Sequence, residues 1–314
     1  MKEIELYRLT EKTLDSIANA RGISNLTKYY SLTDKYAEWY KEFEKDGEIN
    51  LIFAQLAFHG QNATMIDGII KFKKNYLFLA KITERFTPSL FLEKYKSNSE
   101  EESILLIVED LRKGLVWNDK KSSPEKKDTL AKRFAKVLYR GAMYLKSFKS
   151  KKEFIDDLEA HKLRNGKYYV RAKVEDKNRY LIEYFIEKMS TTNSDEKDKC
   201  GFSVALTCDF LKELDERFDY LGKPDVHLKD LMTSFKHQEY TNDYKILKDF
   251  QDVVNEINKS LVEEGKKAIT VYQFDRMVWL ICSGKFFLDN SYDDKTSYLN
   301  NASSLWFYKD PISK

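Results

Sequence analysis

Residues 200–235 read CGFSVALTCDFLKELDERFDYLGKPDVHLKDLMTSF. Two helical patterns flank a short joint. In the first, Val204, Cys208 and Leu211 fall on one face, with Ala205 and Leu214 alongside. DERFDYLGK (215–223) then breaks the pattern. Asp225 follows Pro224 and stands where a helix N-cap belongs, because its side chain can accept from the first free backbone N–H groups. Leu228, Leu231, Met232 and Phe235 recur at helical spacing after it.

Working outward, the rest of the chain reads the same way. NLIFAQLAFHGQNATMIDGIIKF (50–72) is apolar at helical spacing, with an interruption near Gly60. NYLFLAKITERF (75–86) continues to Thr87-Pro88, a stop or a new start. EESILLIVEDLRKGLVW (101–117) predicts another helix. Ser123-Pro124 predicts an N-cap with Pro in the first turn. The helix it opens carries Leu130, Phe134, Val137, Leu138 and Leu145 on its inner side. Lys132, Lys136 and Arg140 form a stripe at spacing four, expected to face outward. Asn165-Gly166 is a turn signal, and the alternation after it is compatible with a short strand. TTNSDEKDK (191–199) reads as a loop. ILKDFQDVVNEINKSLVEE (246–264) should end before Gly265. Thr270 and Gln273 form a capping box for the next helix, whose core face is Phe274, Met277, Val278 and Ile281, with Trp279 also in the core. The polar gap at 118–129 is the best candidate for a lobe boundary or a flexible loop.

Composition agrees with an all-α chain. Among 314 residues there are 11 glycines and 4 prolines, too few for the tight turns of a large β protein. Apolar residues at 42% permit a sizeable core, and charged residues at 33% suit solvated helix faces. Three cysteines at 200, 208 and 282, with no C-x-x-C pair, argue against a disulfide framework or a cysteine zinc site. The opening MKEIELYRLTEK is charged throughout and shows no secretory signal. No apolar run approaches the roughly 18 residues of a membrane helix. The expected location is the cytoplasm, with association to the nucleoid when DNA is bound. Net charge is +3, but residues 126–152 hold ten Lys/Arg and the single acid Asp128. That segment nets +9 and leaves −6 for the remainder, an asymmetry that points to an anionic partner.

Motifs for phosphate loops, dinucleotide binding, zinc proteases and serine hydrolases are missing. Histidines 59, 161, 227 and 237 are scattered. An enzyme with this chain would work through carboxylates or a lone nucleophile. Here Cys-Gly-Phe-Ser-Val-Ala, an amphipathic helix, a short linker and Lys-Pro-Asp-Val-His resemble the core of the helix-hairpin-helix DNA glycosylases. That superfamily includes endonuclease III and the 8-oxoguanine glycosylases. The resemblance covers 201–235, and extends by helix order to 50–90 and 126–160.

The resemblance implies an all-α, two-lobed helix-hairpin-helix DNA-glycosylase-like fold. Residues 50–240 would form the DNA-binding core, and 1–49 with 241–314 the second lobe of one compact unit. It implies a DNA N-glycosylase of base-excision repair acting on double-stranded DNA. Asp225 matches the family's aspartate, whose carboxylate stabilises charge on the sugar and orients or deprotonates the attacking water. Gly201 matches the hairpin glycine that offers amides to a phosphate, although Lys199 replaces the family's other glycine. His227 matches a phosphate-contacting position. Ser203 stands where bifunctional members carry the Schiff-base lysine, which implies monofunctional hydrolysis. Lys199 or Lys212 would take that lysine's place if the register shifts by a turn. Gln61 and Asn62, in HGQNATMI (59–66), fall where members carry polar side chains that plug the gap left by a flipped base. The basic stripe Lys132, Lys136 and Arg140 would bind backbone phosphates.

The cysteines do not match the family's iron–sulfur loop, so no cluster or other cofactor is expected, nor any membrane partner; the protein is expected to be a monomer. The alternatives are a catalytically inactive DNA-binding module on the same fold, and a helical protein whose basic segment meets an acidic partner.

Overall fold

The computed structural model describes residues 1–20, 22, 41–61, 69–117, 123–161, 177–189 and 202–283. These form twelve α-helices and two 3-10 turns, and there is no strand among the described residues. The helices are α1 (Glu3–Ala20), α2 (Glu48–Gly60), α3 (Ile69–Ile82), α4 (Pro88–Lys94), α5 (Glu100–Gly114) and α6 (Pro124–Leu145). They continue with α7 (Lys151–His161), α8 (Lys177–Met189), α9 (Val204–Leu214), α10 (Val226–Lys236), α11 (Asp243–Glu263) and α12 (Val271–Ser283). The 3-10 turns are Lys41–Asp46 and Glu216–Phe218. Of the segment 163–179, whose alternation is compatible with a short strand, 163–176 lie outside the described residues and 177–179 begin α8; the loop expected at 191–199 also lies outside the described residues.

Local chemistry sets the helix ends. The Ser123 hydroxyl accepts from the Lys126 N–H, and Pro124 occupies the first turn of α6. Thr270 and Gln273 close a reciprocal capping box on α12, at 2.9 and 3.1 Å. After α11, Gly265 adopts φ 70°, and the Lys266 N–H reaches back to the Leu261 carbonyl at 2.8 Å. Only a left-handed residue allows that closure, which is why glycine stands there. After α3 the chain turns through three non-glycine residues at positive φ, Glu84, Arg85 and Phe86. That strain is offset by the complete burial of Phe86 and by the Arg85 guanidinium on Asp46 at 2.7 Å.

The chain divides into two compact units, 1–35 with 211–314, and 36–210. The polar gap at 118–129 is not a boundary.

In the 36–210 unit, α6 is central and packs against α2, α4, α5 and α8. Its predicted inner face, Leu130, Phe134, Val137, Leu138 and Leu145, is buried. Glycines permit the close crossing with α2. A Cβ on Gly141 would stand 2.7 Å from Leu56 Cδ2, and one on Gly60 would stand 2.6 Å from Val137 Cγ1. Tyr144 of α6 and Tyr184 of α8 both donate to Asp157 Oδ2 of α7, at 2.7 and 2.9 Å, which ties the three helices.

In the other unit, α1, α10, α11 and α12 enclose one apolar cluster. Leu228, Leu231 and Met232 of α10 meet Phe250 of α11 and Phe274, Met277, Val278 and Ile281 of α12 there. Phe235 and Trp279 pack against it partly buried. On α9, which runs across the division, Val204 and Ala205 of the 36–210 unit, expected on its inner face, are only partly buried, whereas Cys208, Leu211 and Leu214 are buried.

Candidate active site

The segment 215–225 carries the chain from α9 to Asp225. Asp215 caps the short turn, accepting from the Arg217 N–H at 3.1 Å and from its guanidinium at 2.9 Å. Phe218 and Leu221 are buried and anchor the segment to the core. Gly222 lets it pass close to α11, since a Cβ there would lie 3.0 Å from Phe250 Cδ1. Two bonds from the first turns of α12 hold the backbone. The Asp219 carbonyl accepts the Tyr272 N–H at 2.8 Å, and Asp275 Oδ2 accepts the Lys223 N–H at 3.2 Å. The same Asp275 oxygen accepts the Lys212 ammonium at 2.6 Å, and both side chains are almost fully buried.

Asp225 follows two residues on. Its N–H donates to the Lys223 carbonyl at 2.7 Å. Its Oδ1 accepts from the N–H groups of His227 and Leu228, at 2.9 and 3.2 Å. The predicted N-cap is therefore present. Both cap bonds fall on Oδ1, so Oδ2 has no part in the cap. The carboxylate is partly exposed, beside partly exposed His227 and exposed Val226. A carboxylate held through one oxygen at a helix N-terminus is oriented by the cap, and its other oxygen is placed to accept from water.

The other predicted positions belong to the 36–210 unit, whereas Asp225 and His227 belong to the other. Gly201 and Asn62 lie outside the described residues. Ser203 is exposed at the start of α9, its hydroxyl accepting from the Leu206 N–H at 3.4 Å and its carbonyl from the Thr207 N–H at 2.9 Å. Gln61 ends α2 and is 5% exposed, with its amide turned back to the Ala57 carbonyl at 3.5 Å.

The stripe on α6 does not run along solvent. Lys132 is exposed, Lys136 is only 6% exposed, and Arg140 is ion-paired to Glu100 of α5 at 2.6 Å. Eight residues at 100° each rotate the stripe about 80° around the helix axis. Packing on several sides of α6 leaves only a narrow face, so the later members turn inward. Lys126 and Arg133 are exposed on this helix with Lys132.

Two features escaped the sequence reading. The Lys212–Asp275 pair joins residues 63 apart, and its only local sign is a charge on each helix's apolar side. Asp219 is half-buried, and its Oδ1 is buried without a hydrogen-bond partner. Burial pushes its carboxyl up to about 6, helped by the neighbouring charges of Glu216 and Asp215.

Among the described residues, no group of three His, Cys, Asp or Glu side chains is placed to hold a metal. No described helix is long and apolar enough to cross a membrane. Comparison with protein-family models, with characterised proteins and with solved structures returned no match.

Proposed function

We propose that this chain is a monofunctional DNA N-glycosylase of the helix-hairpin-helix kind, with Asp225 as its catalytic carboxylate. The observation that carries the reading is the Asp225 cap. One oxygen is fixed by two backbone N–H groups, and the other is left for water. In the proposed reaction the bond between C1′ and the base nitrogen breaks, and the base leaves with the bonding electrons. Water attacks C1′, gives its proton to Asp225, and the sugar keeps the hydroxyl. The carboxylate charge stabilises the cationic sugar in the transition state.

The choice of water over a lysine rests on two residues. Ser203 has no amine, and Lys212 is committed to Asp275 in a buried pair. Duplex affinity is assigned to the exposed cations of α6, with Lys132 first among them. The chemistry calls on no cofactor. The enzyme would act as a monomer on chromosomal DNA in the cytoplasm.

The test is release of abasic sites from duplexes carrying a panel of damaged bases, read as alkali-labile strand breaks. Expected is excision of at least one lesion, with no strand cleavage before alkali and no borohydride-trapped adduct. A trapped adduct refutes the monofunctional mechanism. Salt-dependent duplex binding without excision of any lesion would leave a DNA-binding module. A slope of log K against log salt near zero would remove DNA as the partner.

A further inference from the structure

We propose that Asp275 is a positioning residue for Asp225, an inference that rests on the catalytic reading of Asp225. A buried Lys–carboxylate pair is a poor stabiliser, because desolvation offsets most of its attraction, and apolar replacements of similar volume are often tolerated. The Lys212–Asp275 pair does more than neutralise itself. Asp275 Oδ2 takes the Lys212 ammonium of α9 at 2.6 Å and also the Lys223 N–H at 3.2 Å. The Lys223 carbonyl, on the same residue, takes the Asp225 N–H at 2.7 Å. One carboxylate oxygen thus joins α9, α12 and the peptide two residues ahead of the catalytic position.

The surroundings make that oxygen's place rigid. The Lys212 ammonium also sits 5.5 Å from the centre of the Tyr272 ring, and the Tyr272 N–H holds the Asp219 carbonyl. The first turns of α12 therefore grip the connecting segment at 219 and again at 223. Lys212 holds the Asp275 carboxylate in place, and Asp275 holds the Lys223 N–H. Asp225 then starts α10 at a point set by a helix fifty residues later in the chain. A catalytic group displaced by about 1 Å loses on the order of 100-fold in rate, so this tie should be visible in turnover.

Two double variants separate positioning from folding. Lys212→Met with Asp275→Leu replaces the pair by an apolar contact and leaves the Lys223 N–H without its acceptor. Lys212→Met with Asp275→Asn also removes the pair but keeps an amide oxygen for that N–H. Single-turnover excision should fall about 10- to 100-fold in the Met/Leu variant at unchanged duplex affinity, and stay within about threefold of wild type in the Met/Asn variant. Amide hydrogen exchange at Lys223 and Asp225 reads the same tie without activity, and should accelerate about tenfold or more only in the Met/Leu variant. Equal exchange in the two doubles overturns the inference whatever the activity. A wild-type protein that excises nothing overturns the glycosylase reading and leaves the exchange comparison to decide the tie.

Discussion

Asp225 caps α10 and is the proposed catalytic carboxylate, and substitutions can pull the two apart. Replacing it by Ala removes the acceptor of the His227 and Leu228 N–H groups, which lie 2.9 and 3.2 Å away. Loss of an N-cap costs about 1 kcal/mol, and loss of a negative charge at a helix N-terminus costs about 0.5 kcal/mol more. Asp225→Ala should therefore be about 1.5 kcal/mol less stable. Asp225→Asn keeps the capping oxygen and loses only the charge, about 0.5 kcal/mol, and Asp225→Ser should match it. Stability should thus rank wild type, then Asn and Ser together, then Ala.

Excision should rank differently. None of the three has a carboxylate, so all should lose at least about 100-fold in single-turnover rate. Urea denaturation followed by circular dichroism gives the first ranking, and abasic-site release under single-turnover conditions gives the second. The diagnostic variant is Asn, capped and folded but inactive. An Asn variant that excises within about twofold of wild type refutes the catalytic role. An Ala variant as stable as wild type refutes the cap's energetic importance.

Three further outcomes are expected. Gly141→Ala puts a methyl 2.7 Å from fully buried Leu56 Cδ2, so the variant should lose about 1–2 kcal/mol despite alanine's better helix propensity. Combining it with Leu56→Ala should recover part of that loss in a double-mutant cycle, and zero coupling would refute the close crossing. Asp219 has a folded value of about 6 against an ordinary 3.8, so its charged form is the disfavoured one in the fold. The stability it contributes is present below about pH 4 and lost as pH rises through 6, so Asp219→Asn should gain about 1 kcal/mol near pH 8, discounted for the half-exposed carboxyl, and nothing near pH 4. Lys132→Ala should lower the salt slope of duplex binding by about 0.9, whereas Lys136→Met should leave it unchanged because Lys136 is buried. Equal slopes for the two variants would refute the assignment of the exposed face.

What could be read from the sequence was local. The Ser123 and Asp225 caps, the Thr270–Gln273 box, the Gly265 stop and the inner face of α6 each depend on residues within one or two turns. They reappear in the structure where the spacing put them. A cap is a contest between a side chain and backbone N–H groups three residues away, and no distant part of the fold is needed to decide it.

What the spacing could not decide depended on partners far along the chain. Lys132, Lys136 and Arg140 look alike in sequence, yet Lys132 is exposed, Lys136 is buried and Arg140 is paired with Glu100. The helices packed around α6 made that difference. Likewise, the tertiary structure alone brings Lys212, Lys223 and Asp275 onto one oxygen, and it alone divides the chain at 210/211. Burial and charge pairing are properties of what lies opposite a residue in space, and a helical period records only which side of its own helix the residue is on.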